Sequence, residues 1–236
     1  MKKYKLFAMG LAMAGALSFT SCADDYLDTA PTDAVSNVTI GQNMESLYLG
    51  LNGIHRQMIS QESGYQCMGG LGGMMYIMDI MADDITWLTN TWMKAAYLGW
   101  QCNTNNQNGY NTVFWRLYYQ WIMNANGLLE VLDGTDVSTL SGGDKALYEQ
   151  IRGEALVFRA FSHFQTYADA YKAGGNNSQP GVPYRTVENK VDQELARSSV
   201  EETYAKINAD LAEACSLLEG KNITELNHWS AKSAYA

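Results

Sequence analysis

Cys22 has the most clearly defined chemistry in the chain. It follows Thr20-Ser21 at the end of an apolar run from Leu6 to Phe19, which Lys2, Lys3 and Lys5 precede. A small Ser before the Cys suits a peptidase pocket, and the thiol can carry a diacylglycerol in thioether linkage. A basic start, an apolar stretch and a small-residue cleavage site are the marks of a secretory signal. The run is about 14 residues, short of the ~20 that span a bilayer as a helix, so it reads as a segment that is removed. Residues 1–21 are thus expected to form a lipoprotein signal peptide, with Cys22 lipidated as the first mature residue.

The remaining reactive side chains do not assemble into a catalytic set. Asp83 and Asp84 are adjacent, and neighbouring positions on a helix point about 100° apart. They therefore do not converge on one bond, whereas a glycoside hydrolase needs two carboxylates roughly 5 to 10 Å apart across a cleft. Asp133 and Asp136 lack the spacing of a calcium loop. His55, His163 and His228 stand apart, without the short spacing of metal ligands, and read as structural histidines. Met68, Met74, Met75, Met78 and Met81 carry thioethers that suit Cu(I), but a pliable core or interface stripe explains them better, with Met75, Met78 and Met81 on one helical stripe. Cys67, Cys102 and Cys215 cannot all pair; one bridge, Cys67 to Cys102 for instance, can form in an oxidising envelope, and no framework is implied. The expectation is no enzyme, no metal site and no cofactor.

The chain must still position whatever it binds. With 236 residues, 47% of them hydrophobic, it can bury a substantial core. Its formal charge of −9 becomes more negative once the three signal-peptide lysines leave, which argues against nucleic acid and against electrostatic docking on anionic lipid. Residues 22–40 read as a lipidated N-terminus and extended tether, rich in Thr, Asp and Ser around Pro31. Residues 41–236 read as one α-helical domain. Gln42 to Met58 carries Met44, Leu47, Leu51, Ile54 and Met58 at helical spacing. A glycine-rich break at Gly69 to Gly73 precedes an apolar stripe from Met74 to Met81. Ile85 to Asn111 has weak periodicity and reads mostly as loop. Helical pattern returns from Val113 to Leu132, with Gly134 as a stop. The next helix is expected from a cap at Asp144 to about Tyr171, with Leu147, Ile151, Ala155, Phe158, Ser162 and Gln165 down one side. Ser199 and Glu202 predict a capping box for a helix through Tyr204, Ile207, Leu211, Ala214 and Leu218. Ser230 starts another helical pattern that stops after less than two turns at Ala236, too short to stand alone in water, so the chain is expected to be the N-terminal part of a longer protein. Helix pairs joined by short loops suggest an all-α, helical-repeat (TPR-like) layout, although no 34-residue repeat is plain in the letters.

Gly153-Glu154-Ala155, Arg159-Ala160, Phe164 and Tyr167, followed by Pro180-Gly181-Val182-Pro183-Tyr184, resemble the central signature of the SusD/RagB family of outer-membrane nutrient-binding lipoproteins. The agreement continues at Arg197-Ser198-Ser199-Val200-Glu201-Glu202-Thr203-Tyr204, Ile207 and Asp210-Leu211. Leu27-Asp28 with Pro31, Leu51-Asn52-Gly53-Ile54, and Trp115 with Asn124 and Asn126 extend it across nearly the whole mature chain, in the family's order. Asp24-Asp25, just past Cys22, resembles the surface-export signal of Bacteroidetes lipoproteins. Several acyl chains hold a protein on a membrane without a spanning helix. As residues, Gly153, Ala155 and Ala160 let helices approach closely, while Glu154 and Arg159 are not at the spacing that pairs them with each other and read as capping or pairing with another element.

The resemblance implies capture of a glycan, or of another nutrient, and transfer to a SusC-like TonB-dependent transporter that the protein covers as a lid. Sugar capture needs flat apolar faces and amides or carboxylates for hydroxyls. Trp87, Asn90, Trp92, Tyr97, Trp100 and Gln101, with the Asn-rich run through Asn111, have that mixture. Trp87 and Asn90 are the nearest counterparts of the Trp and Asn cluster in the starch-binding archetype, and Trp87, Asn90 and Trp92 are the expected ligand contacts. The bland alternative is that these tryptophans pack against the helices. A different class of function, an all-helical interaction scaffold with no small ligand of its own, also fits the composition. Intact mass spectrometry of the mature protein should find Cys22 first and acylated, and Cys22→Ser should carry no acyl mass; an unmodified wild-type Cys22 would remove the anchor.

Overall fold

A computed structural model of the chain describes residues 43–61, 69–82, 109–166, 171–190 and 192–219. They form five α-helices: α1 (Met44–Gln57), α2 (Gly70–Met81), α3 (Gly109–Asp133), α4 (Gly142–Gln165) and α5 (Val200–Leu217), with a short 3-10 turn at Val137–Thr139. No strand occurs among the described residues, only isolated bridges at Gln61–Gly69 and Pro180–Ser199. The all-α expectation holds. None of the described helices is long and apolar enough to cross a membrane.

Local chemistry sets the helix ends. The Asn43 Oδ1 accepts from the Ser46 N–H at 2.8 Å and caps α1, which buries Met44, Leu47, Leu51 and Ile54. The glycines expected to break the chain instead form the first turn of α2. The Leu71 N–H donates to the Met58 carbonyl at 2.8 Å, and Gly70 has φ 52° where a Cβ would sit 2.0 Å from that same oxygen. Only glycine admits so close an approach in a left-handed conformation. From there α2 buries Met74, Ile77 and Ile80, while Met75 and Met78 face outward. The expected Met75–Met78 stripe is therefore exposed.

Helix α3 begins at Gly109, earlier than Val113, so Asn111 is helical rather than in a loop. Helix α4 is capped by Ser141 and not by Asp144. The Ser141 hydroxyl accepts from the Asp144 N–H at 3.2 Å and donates to the Asp144 carboxylate at 2.7 Å, which places Asp144 within the first turn. It ends at Gln165, short of Tyr171. The capping box of α5 forms as expected, the Ser199 hydroxyl accepting from the Glu202 N–H and the Glu202 carboxylate from the Ser199 N–H.

Helices α3, α4 and α5 pack side by side, and α1 lies against α3 and α4. Cross-links show the antiparallel register. Arg152 in the middle of α4 binds Asp133 at the end of α3 and Glu213 late in α5, both at 2.6 Å, whereas Phe164 at the end of α4 meets Tyr204 near the start of α5. Helix α4 is the centre, buried without interruption from Gly153 to Ala160. A Cβ on Gly153 would lie 2.6 Å from the Leu218 Cγ, so glycine lets the end of α5 close in.

Two buried charges on α4 find partners on other elements, as their spacing requires. Glu154 accepts from the His55 Nε2 on α1 at 2.7 Å and from the Gln150 amide at 3.0 Å. The Arg159 guanidinium donates two hydrogen bonds to Asp210 on α5, each 2.7 Å, and a third to the Asn126 Oδ1 on α3 at 3.0 Å. Tyr184 donates to the same Asp210 at 2.6 Å. Truncating one member of a buried ion pair leaves the other uncompensated, at about 3–5 kcal/mol. Asp210→Ala should lower the unfolding free energy by about that amount in urea titrations, and the apolar combination Arg159→Met, Asp210→Leu, Tyr184→Phe should recover most of the loss. Equal loss in both would show that packing, not the unpaired charge, sets the penalty.

Candidate functional site

The link between α4 and α5 is built to hold one aromatic ring in place. Asn177, buried in that link, accepts from the Lys172 N–H at 2.9 Å and donates to the Lys172 carbonyl at 3.0 Å, closing the turn after α4. The Gly181 N–H donates to the Ser198 carbonyl and the Ser198 N–H to the Val182 carbonyl, at 2.6 and 3.1 Å. The Arg197 guanidinium donates to the carbonyls of Gly181 and Pro180. This clamp delivers Tyr184 to the interior, where it stacks on His163 at 3.8 Å and 14°. Lys206 lies over the Tyr184 ring, 5.5 Å from its centroid.

The stack continues outward. Tyr119 meets His163 edge-on at 6.1 Å and donates its hydroxyl to the Pro183 carbonyl at 2.8 Å. Trp115, one turn earlier on α3, stacks on Tyr119 at 4.5 Å and 26°, and Trp115 is 46% exposed. A second aromatic group stands at the same end of the helical layer, where Tyr204 contacts Phe164 at 6.3 Å and Tyr171 at 5.1 Å. Phe164 and Tyr171 are exposed. The first half of α3, the C-terminal end of α4 and the N-terminal end of α5 thus carry two groups of rings, the first of which runs from core to solvent.

Burial governs the acid–base behaviour here. The His163 Nδ1 lies 2.8 Å from the Arg159 carbonyl and can only donate to it, while the Nε2 accepts from the Arg185 N–H at 3.1 Å. That pair of partners fixes the neutral Nδ1–H tautomer. Burial pushes the imidazole down to about 3, because a proton on Nε2 would face another donor in a dry site. Burial raises the Tyr184 phenol, with the Asp210 charge adding to it, and raises that of Tyr119. Burial opposes the charge on Arg159, but the hydrogen bonds and charge of Asp210 outweigh it and its pKa rises. Each of these groups is held in one protonation state near neutral pH, and its hydrogen bonds tie the helices together.

A pocket of about 180 Å³ opens beside this network, lined by Leu129, Asp133, Arg152, Leu156, Arg159, Thr186, Val187 and Glu188. It is smaller than the ~300 Å³ at which ligand clefts begin, and both arginines already bind carboxylates. No three His, Cys, Asp or Glu residues gather as a metal site among the described residues.

Of the residues singled out in the sequence, Cys22, Trp87, Asn90 and Trp92 lie outside the described residues, as do Cys67 and Cys102. Cys215 is half-buried on α5. Asn111, the last member of the amide-rich run, sits half-buried in the first turn of α3. His55 and His163 are structural, bound to Glu154 and to backbone. Asp210 as the partner of Arg159, and Trp115 as an exposed ring, are not legible as such in the sequence; an acidic residue within the apolar face of α5 is the available signal for the first.

A family model described as starch-binding and associating with the outer membrane, SusD-like, matches residues 25–236. The chain belongs to that SusD-like family. Its fold is similar to a protein of Bacteroides vulgatus ATCC 8482 described as sugar-binding, with a TM-score of 0.63 at 22% identity over 82% of this chain and 41% of that one. A SusD-like carbohydrate-binding protein of the same organism gives 0.63 at 21% identity, covering 82% and 40%. A SusD superfamily protein of Bacteroides thetaiotaomicron VPI-5482 gives 0.60 at 23%, covering 81% and 41%. The chain spans about two fifths of the length of these structures. No protein of curated function matches it.

Because the folded protein keeps His163 neutral down to about pH 3, the unfolded chain binds the extra proton between about pH 6.5 and that value. Stability from this residue is fully present above pH 6.5 and is lost as pH falls through that window. The stability difference between wild type and His163→Asn, from urea midpoints, should therefore shrink from pH 7 to pH 4. A constant difference would show that the imidazole is not held neutral.

Proposed function

We propose that this chain belongs to a non-catalytic lipoprotein of the outer membrane, anchored through Cys22 and exposed at the cell surface. It binds a nutrient, most simply an oligosaccharide, and delivers it to a SusC-like TonB-dependent transporter. The observation that carries the reading is the family match over residues 25–236. The described helices agree with it, since their buried ionisable groups are consumed by internal partners and offer no acid–base pair. Ligand contact is assigned to Trp87, Asn90 and Trp92, whose rings and amide suit the CH faces and hydroxyls of a sugar. The protein takes no nucleic acid and needs no cofactor.

One feature favours a second reading, a helical interaction scaffold of the envelope: Leu49, Ile59, Met75 and Met78 expose apolar side chains on and beside α1 and α2. Calorimetry of the signal-free protein against a panel of polysaccharides and peptides separates the two. Binding of one glycan, weakened at least tenfold by Trp87→Ala or Trp92→Ala, is the expected result. Binding unaffected by either moves the site elsewhere, and failure to bind any glycan favours the scaffold.

A further inference from the structure

Helix α4 buries Ser162 and His163 and then turns a phenylalanine outward. Phe164 is 48% exposed, and its ring stands at 89° to that of Tyr204 on α5, with 6.3 Å between the centroids. Tyr171, 40% exposed in the link after α4, lies 5.1 Å from the same Tyr204 at a tilt of 43°. Rings from three segments thus make an open corner, with half-buried Tyr204 at its centre. Glu201 and Asn208 are both exposed on α5. They stand three positions before Tyr204 and four after it, spacings that set all three on one face of the helix. The corner therefore has a carboxylate on one side and an amide on the other.

One buried residue holds the corner together. The Asn177 amide accepts from the Lys172 N–H and donates to the Lys172 carbonyl, next to Tyr171. The Asn177 backbone carbonyl accepts from the Glu201 N–H at 3.0 Å, within one turn of Tyr204. Beside it the Gln179 carbonyl accepts from the Val200 N–H at 3.0 Å and fastens the link to the start of α5. The backbone that carries the rings is thus fixed before any ligand arrives, and a preorganised contact loses little freedom on binding.

Flat rings rimmed by a carboxylate and an amide present what a pyranose needs: apolar planes for its CH face, and acceptors and donors for its hydroxyls. Size also selects the occupant. Phe164 and Tyr171 together leave on the order of 200 Å² of side chain in water, far below the roughly 800 Å² that each partner buries in a stable protein interface. A sugar ring can cover such an area; a folded protein would need much more. We infer that Phe164, Tyr171 and Tyr204 form a carbohydrate contact on the packed helices, a pyranose stacking in the corner while Glu201 and Asn208 meet its hydroxyls. This rests on the glycan-binding reading above and adds to it a second contact, distinct from Trp87, Asn90 and Trp92.

The test is NMR of the signal-free protein with ring-labelled Phe and Tyr, titrated with maltoheptaose, xylohexaose and β-mannohexaose, beside calorimetry of the same pairs. For whichever glycan binds, the ring signals of Phe164, Tyr171 and Tyr204 should shift and saturate. Phe164→Ala and Tyr171→Ala should each raise the dissociation constant read from the remaining ring signals roughly fivefold or more, through loss of a stacking face. Tyr171→Phe, which keeps the ring, should change it by less than about twofold. Because Phe164 also packs on Tyr204, Tyr171→Ala carries the test should Phe164→Ala fail to fold. Binding seen by calorimetry with all three ring signals unmoved overturns this inference alone and leaves the glycan reading standing. Ring signals that respond to protein concentration and not to sugar mark a surface between copies of the chain, and overturn it as well. A wild type that binds none of the three glycans overturns the glycan reading and this inference with it.

Discussion

The bidentate contact between Arg159 and Asp210 is the constraint around which the described helices arrange themselves. Both side chains are nearly withdrawn from water, at 11% and 12% exposure, and neither could remain charged there alone. Each partner is therefore obliged to bring its helix to the other. Asn126 ties α3 to the same guanidinium and Tyr184 ties the α4–α5 link to the same carboxylate. Four separate segments converge on one pair of charges. An apolar core alone would tolerate sliding of α4 against α5. Two parallel N–H···O bonds do not, because a shift of one helical turn would break both.

Helix α4 repeats this logic along its length. Arg152 reaches Asp133 and Glu213, Glu154 takes His55, Arg159 takes Asp210, and His163 bridges its own helix to the Arg185 N–H. Polar residues at the centre of a layer are costly to bury, and each is matched to a different neighbour. The matching specifies which element lies on which side, while Ile151, Ala155, Phe158 and their contacts supply most of the hydrophobic gain. The small residues serve the same end, with Gly153 admitting Leu218.

Much of this is legible from one chain because periodicity and capping are local. The apolar spacing of α1, α3, α4 and α5 matches the buried faces, and Ser199 with Glu202 marks the start of α5. The failures are also physical. Gly69–Gly73 reads as a break because glycine is a poor helix former, yet the close approach to Met58 requires glycine at the first turn of α2. Asp144 reads as a cap because its side chain suits one, but Ser141 stands three residues earlier and accepts from the Asp144 N–H, so the helix starts sooner and Asp144 lies inside its first turn. Spacing shows that Glu154 and Arg159 need outside partners but does not name His55 or Asp210, since those contacts span 99 and 51 residues and depend on the packed layer. Trp87, Asn90 and Trp92 rest on side-chain type and family resemblance; type alone does not place a ring in space.

The same constraint bears on where recognition can occur. A charge already neutralised by internal partners has less electrostatic attraction left for a ligand, and drawing it away from them would leave a partner uncompensated. Arg152 and Arg159 line the small pocket but are held in this way, so the pocket has polar walls with little left to offer. Exposed rings carry no such conflict. Trp115, Phe164 and Tyr171 can gain a contact on one face while keeping the one that orients them. Such positions, and the loops beside them, can change without unpairing a buried charge, whereas a change at Arg159 or Asp210 cannot.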